Sequence, residues 1–132
     1  MQTIQSFRDL LVWQKSIDLA VRTYRVARQL PRSEDPVLGY QLRKSSLSIP
    51  SNVAEGWSRH STASYVQHLW IAHGSGGELE SQLEVGQRLQ LIPVDAAELL
   101  IRDAQEIGRM IQGLVRSLSR GESSQTRGRR QA

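Results

Sequence analysis

The chain contains no cysteine, which excludes a disulfide scaffold, a thiolate zinc site and a cysteine nucleophile together. It has one phenylalanine, and aromatic residues make up only 5% of the sequence, so little is left over for stacking once a core is filled. No apolar run approaches the roughly 18 residues of a membrane span, and Met1 to Phe7 lacks the basic-then-apolar layout of a signal peptide. A cytoplasmic location with no membrane partner is the expectation. Motifs for catalysis are missing too. Of the three histidines, His68 and His73 stand five apart, about 140° around a helix, so they cannot share a metal from adjacent turns. None of Glu55, Glu78, Glu80 or Glu84 has a histidine three residues later, as a carboxylate-bridged di-metal bundle would need. Gly74-Ser75-Gly76-Gly77 lacks the strand and lysine of a phosphate loop, and no serine stands in a nucleophile elbow. The expected protein is not an enzyme and uses no metal and no cofactor.

What the chain does have is an ordinary globular composition: 132 residues, 39% hydrophobic and 23% charged. A domain of this size hides about two thirds of its unfolded surface and needs no staple. Seventeen Lys and Arg against thirteen Asp and Glu give a formal charge of +4, and fifteen of the seventeen cations are arginine. Arginine suits phosphate forks and stacking. The balance points toward nucleic acid or an acidic protein as partner, although a charge of this size also simply keeps a small domain soluble.

Four long segments carry helical periodicity. The first opens at Ser6, with Asp9 completing a capping-box pair, and runs to Leu30 before Pro31; its stripe is Leu10, Trp13, Ile17, Ala20, Tyr24 and Ala27. The second follows Pro31-Arg32-Ser33, has Pro36 in its first turn and carries Leu38, Leu42, Ile49 and Val53 toward Trp57, with Pro50 expected to kink it. The third begins after Gly56 to Ser61, with Tyr65, Leu69, Ala72, Gly76, Leu79, Leu83 and Gly86 in register. The fourth starts near Pro93-Val94-Asp95 and shows Leu100, Ala104, Ile107, Ile111, Leu114 and Leu118. Short connections make successive helices antiparallel, so the fold class is all-α, an antiparallel up-down-up-down four-helix bundle over residues 1–120. Residues 121–132 read as a disordered basic tail.

The faces opposite these stripes carry the candidate functions. On the first helix Val12, Leu19 and Val26 recur every seven residues, and on the third Trp70 points outward beside Gly74 and Gly77. Read as a second apolar face, these four residues form an oligomer interface; the alternative is scattered surface residues or the core of a twisted bundle. On the fourth helix Arg102, Arg109, Arg116 and Arg120 occupy one narrow sector about 27 Å long. Lys15, Arg22 and Arg25 add to the first helix, and Arg127, Arg129 and Arg130 continue the charge into the tail. Such rows can track a phosphate backbone, and they can equally be a solvated face balanced by Asp18, Asp103 and Glu106.

Residues Arg43 to Trp57, RKSSLSIPSNVAEGW, hold the most individual motif, with Ile49, Pro50, Asn52, Glu55 and Gly56 at its centre. It can stabilise a kinked helix or a subunit contact, or touch a ligand directly. Together with Phe7 to Tyr24 and Gly77 to Leu89, it resembles the four-helix bundle family encoded in intervening sequences of bacterial 23S ribosomal RNA genes. That family is itself similar to the accessory variability determinant proteins of diversity-generating retroelements. The resemblance spans about Phe7 to Arg120 and departs from the family at Gly74 to Gly77, where members place larger helix formers. It implies an antiparallel bundle, assembly into a ring, commonly a pentamer, and binding of RNA or other nucleic acid through basic surfaces. It implies no catalytic residues. Two functions follow as expectations: a homo-oligomeric bundle that binds nucleic acid, RNA foremost, or a scaffold whose basic face docks an acidic protein.

Overall fold

The computed structural model describes residues 3–131, with side chains described for residues 3–121. Among them are four α-helices: α1 (Leu11–Arg28), α2 (Tyr40–Ser58), α3 (Thr62–Arg88) and α4 (Val94–Gln131). The segment expected as a disordered tail, with Arg127, Arg129 and Arg130, falls on side chains outside the described residues.

Local chemistry places the helix ends close to where the sequence puts them. Ser6 and Asp9 do form a capping box: Ser6 Oγ accepts from the Arg8 amide at 2.9 Å and Asp9 Oδ2 from the Ser6 amide at 3.2 Å. The box closes only a single 3-10 turn, Phe7–Asp9, because Leu10 turns extended before α1 begins. Pro36 sits in a wide turn, Asp35–Gly39, that feeds straight into α2. Ser61 caps α3 by accepting from the Ser64 amide at 3.4 Å. Between α3 and α4, Gln90 takes a left-handed conformation (φ 59), and the amides of Leu91 and Ile92 donate to the Gly86 carbonyl. Ile92 then lies so near the helix that a Cβ at Gly86 would stand 2.5 Å from its Cδ1. Glycine is required there by close approach, and at Gly56 too, where a Cβ would meet His68 Cβ at 2.8 Å.

Helix directions follow from the pairs that join them. Ser45 bonds Gln82 and Ser48 bonds Ser75, so α2 and α3 are antiparallel. His73 lies beside Gly108 while Ile92 packs on Gly86, which opposes α3 and α4. Lys15 pairs with Glu106 and Arg22 with Asp103, which opposes α1 and α4. The up-down-up-down bundle is the only arrangement consistent with all three.

The core contains every position that the spacing assigns on α3, and on α4 it takes Leu100, Ala104, Ile107 and Ile111, with Val115 beside them. Helix α1 corrects the sequence reading. Leu19 is 0% exposed and Val12 5%, and Val26 is packed against the same core, so the supposed outer face of α1 is its inner one. The residues assigned inward are partly outside: Ile17 is 36% exposed. The buried stripe was masked by two polar members, Ser16 and Thr23. Both are fully buried, and their hydroxyls donate to the Val12 and Leu19 carbonyls at 2.6 and 2.8 Å. Satisfied in this way by their own helix, they enter an apolar core at little cost. Val12 and Leu19 therefore hold the bundle itself together and are closed to a subunit interface, while Val26 is partly buried against the same core.

Candidate nucleic-acid interface

Helix geometry carries the α4 arginines to one side. Arg102, Arg109, Arg116 and Arg120 are exposed, opposite the buried Leu100, Ala104, Ile107 and Ile111. None of the four forms an ion pair with another described residue. Their neighbours on the α1 side of the same helix, Asp103 and Glu106, are taken up by α1 cations.

Those pairings correct two of the sequence assignments. Lys15 is bound to Glu106, and Arg22 to both Asp103 and Asp18. Burial opposes the Arg22 charge, yet Asp103 and Asp18 outweigh it and leave its pKa above the ordinary guanidinium value. Lys15 and Arg22 are ties between helices rather than free cations. Arg25 remains exposed, as does Arg28 one turn on. Both line an open groove between α1 and α2 with Ile17, Ala20, Val21, Tyr24 and Leu47. This groove is the exposed apolar face that the sequence analysis placed on Val12, Leu19 and Val26. Ile17, Ala20 and Tyr24 belong to the stripe assigned to the core, and Val21, 44% exposed, lies beside them outside that stripe.

Trp70 is 47% exposed, on the outside of α3 as the sequence suggests. Its ring meets His73 edge to face, 5.5 Å between centroids. His68, by contrast, turns its Nδ1 to the Ser64 carbonyl at 2.8 Å, and His60 lies in the turn before α3 with φ 58.

The proline motif joins α2 to α3. Ile49, Pro50 and Gly56 are buried. Asn52 donates from Nδ2 to the Ser48 carbonyl at 2.9 Å and to Ser48 Oγ at 3.0 Å, and Ser48 Oγ lies 2.8 Å from Ser75 Oγ. Glu55, on the exposed side, accepts from Arg59 at 2.7 Å, with His68 Nε2 3.8 Å away. The hydrogen bond and charge of Arg59 hold the Glu55 carboxyl below the usual carboxylate range. These bonds are local or between helices, so the motif builds the bundle. Its partners Ser75 and Gln82 escaped the sequence analysis because nothing in a spacing pattern marks a serine as one half of a buried pair.

A second groove, of about 530 Å³, runs between α3 and α4. Its floor includes Gly74, Gly76, Gly77 and Gly108, and Arg109 of the exposed row stands on its wall. Among the described residues no helix is long and apolar enough to cross a membrane.

A solved structure from Bacteroides thetaiotaomicron, described as a protein of unknown function from the S23 ribosomal protein family, superposes with a TM-score of 0.75 at 27% identity. The match covers 80% of this chain and 98% of that one. No curated protein matches the chain. Residues 8–113 match the family described as 23S rRNA-intervening sequence protein; the chain is a member of that family.

Proposed function

We propose that the protein is a non-enzymatic, homo-oligomeric bundle of the cytoplasm that binds RNA or a related nucleic acid through the outer face of α4. The observation that carries this reading is the row Arg102, Arg109, Arg116 and Arg120, exposed and without ion-pair partners among the described residues. Free guanidinium groups along one helix face release counterions when they meet phosphates, and the paired cations on α1 do not compete for that role. Family membership, and the ribosomal RNA context in the family's description, support RNA over DNA.

Self-association moves on α1 from Val12, Leu19 and Val26 to the α1–α2 groove, and stays on α3 with the outer side that also carries Trp70. The α1–α2 groove combines Ile17, Val21 and Leu47 with Arg25 and Arg28. The outer face of α3 and its end combine the exposed Ile71, Val85 and Leu89 with the carboxylate of Glu78, which lies in line with Ile71 and Val85 at seven-residue steps. The two are complementary in polarity and charge. A contact between unlike faces propagates from copy to copy and closes into a ring when the rotation allows. Repeating the arginine row around a ring would give a long RNA several attachment points at once.

Replacing Arg102, Arg109 and Arg116 together by glutamine tests the reading. Fluorescence anisotropy against a structured RNA over a salt series should show weaker binding. The negative slope of log affinity against log salt should flatten by about 0.7 to 0.9 for each lost contact. Helicity should not change, since all three side chains lie outside the core. Equal affinity and an equal slope would remove α4 from the interface, and tight binding to acidic proteins with none to RNA would favour the scaffold function.

A further inference from the structure

The groove between α3 and α4 contains hydrogen-bonding groups and a bare floor that the bundle's own packing does not use. Glycine is poorly placed inside a helix, and where this fold needs it the reason is visible, as at Gly56 and Gly86, where a Cβ would collide. At Gly74, Gly76 and Gly77 a Cβ would meet nothing within 4 Å. Packing within the chain therefore gives no reason for three glycines in four positions.

The rim supplies an independent observation. Glu80, Gln105, Gln112 and Arg109 line the groove, and none of these heads has a hydrogen-bond partner among the described residues. The His73 ring reaches across to α4, its Nε2 3.7 Å from where a Cβ of Gly108 would stand, and it meets the half-exposed Trp70 at the groove's end. Two amides, each with a donor and an acceptor side by side, match the edge of a nucleobase; a carboxylate and a guanidinium extend the set. An exposed indole offers a stacking face. Arg109 belongs to this wall and to the arginine row alike.

We propose that the α3–α4 groove takes an unpaired base of a single-stranded RNA whose phosphates lie along the α4 row. The inference rests on the nucleic-acid reading above and adds base recognition to it. A flat glycine floor lets a planar ring lie close to the helix backbone, which any side chain there would prevent.

The test compares a mixed-sequence RNA of about 12 nucleotides with an abasic strand of equal length, which presents the same phosphates without bases. Wild-type protein should bind the base-bearing strand about tenfold more tightly, on the order of one stacked base. In the Gly74→Ala/Gly77→Ala variant the thermal midpoint should rise, because alanine favours the helix and has room, while the preference for bases disappears and the salt slope persists. Gln105→Ala/Gln112→Ala should reduce the preference without raising the midpoint. Equal wild-type affinity for the two strands, or a preference that survives the glycine variant, would overturn the inference and leave the arginine row standing. A glycine variant with altered sedimentation would assign the groove to a neighbouring subunit, which also overturns it. Failure to bind either strand would overturn the inference, and failure to bind the structured RNA as well would overturn both readings.

Discussion

The hydroxyl of Tyr65 is buried and, alone among the buried side-chain polar atoms of the described residues, has no hydrogen-bond partner. Burial pushes its pKa from 10.0 to about 12. Between those values the unfolded chain has released the phenolic proton and the folded chain has kept it, so stability must fall as pH rises through the window and is fully present below it. Urea midpoints measured from pH 9 to 12 should show this loss in the wild type. In Tyr65→Phe this part of the loss should be absent. At pH 7 the same variant should be as stable as the wild type or more so, since it removes a polar atom that the fold leaves unsatisfied. A clear loss of stability at pH 7 would mean that the hydroxyl has a partner in solution.

Among the elements, α3 and α4 were legible from spacing because one unbroken row of apolar or small residues marks the inward side of each. Helix α1 was not, since apolar residues line two of its sides and Ser16 and Thr23 interrupt the inner one. A hydroxyl that bonds its own helix looks like a surface residue in sequence and behaves as a core residue in the fold. The candidate site divides in the same way. The α4 row was readable because nothing opposes it, whereas the fate of Lys15 and Arg22 depended on acids 91 and 81 residues away. Two substitutions on α1 separate its faces. Leu19→Ala should cost about 2–5 kcal/mol in chemical denaturation, the usual range for a buried leucine. Val21→Glu should leave denaturation nearly unchanged and lower the assembly state in sedimentation, because Val21 is 44% exposed in the α1–α2 groove. An unchanged assembly state would remove that groove from the subunit contact.

For the whole molecule, neutralisation along the α1–α4 boundary leaves the uncompensated arginines on the outer edge of α4 and around Arg25 and Arg28 of α1. An approaching polyanion is therefore steered to particular sides rather than to the entire surface. The same boundary has a consequence for how the fold is reached. Helices α2, α3 and α4 follow one another through short turns, so their contacts close small loops. The α1–α4 pairs span nearly the length of the bundle and close the largest loop, at the greatest entropic cost. In stopped-flow experiments the destabilisation of Leu19→Ala should appear mainly as faster unfolding, while Leu79→Ala on α3 should slow refolding. During synthesis α1 leaves the ribosome first, yet its partners at Asp103 and Glu106 follow several seconds later at about 5–20 residues per second. Until then its apolar stripe lacks the cover of α4, and the nascent chain is most open to chaperone capture or to pairing with a second copy.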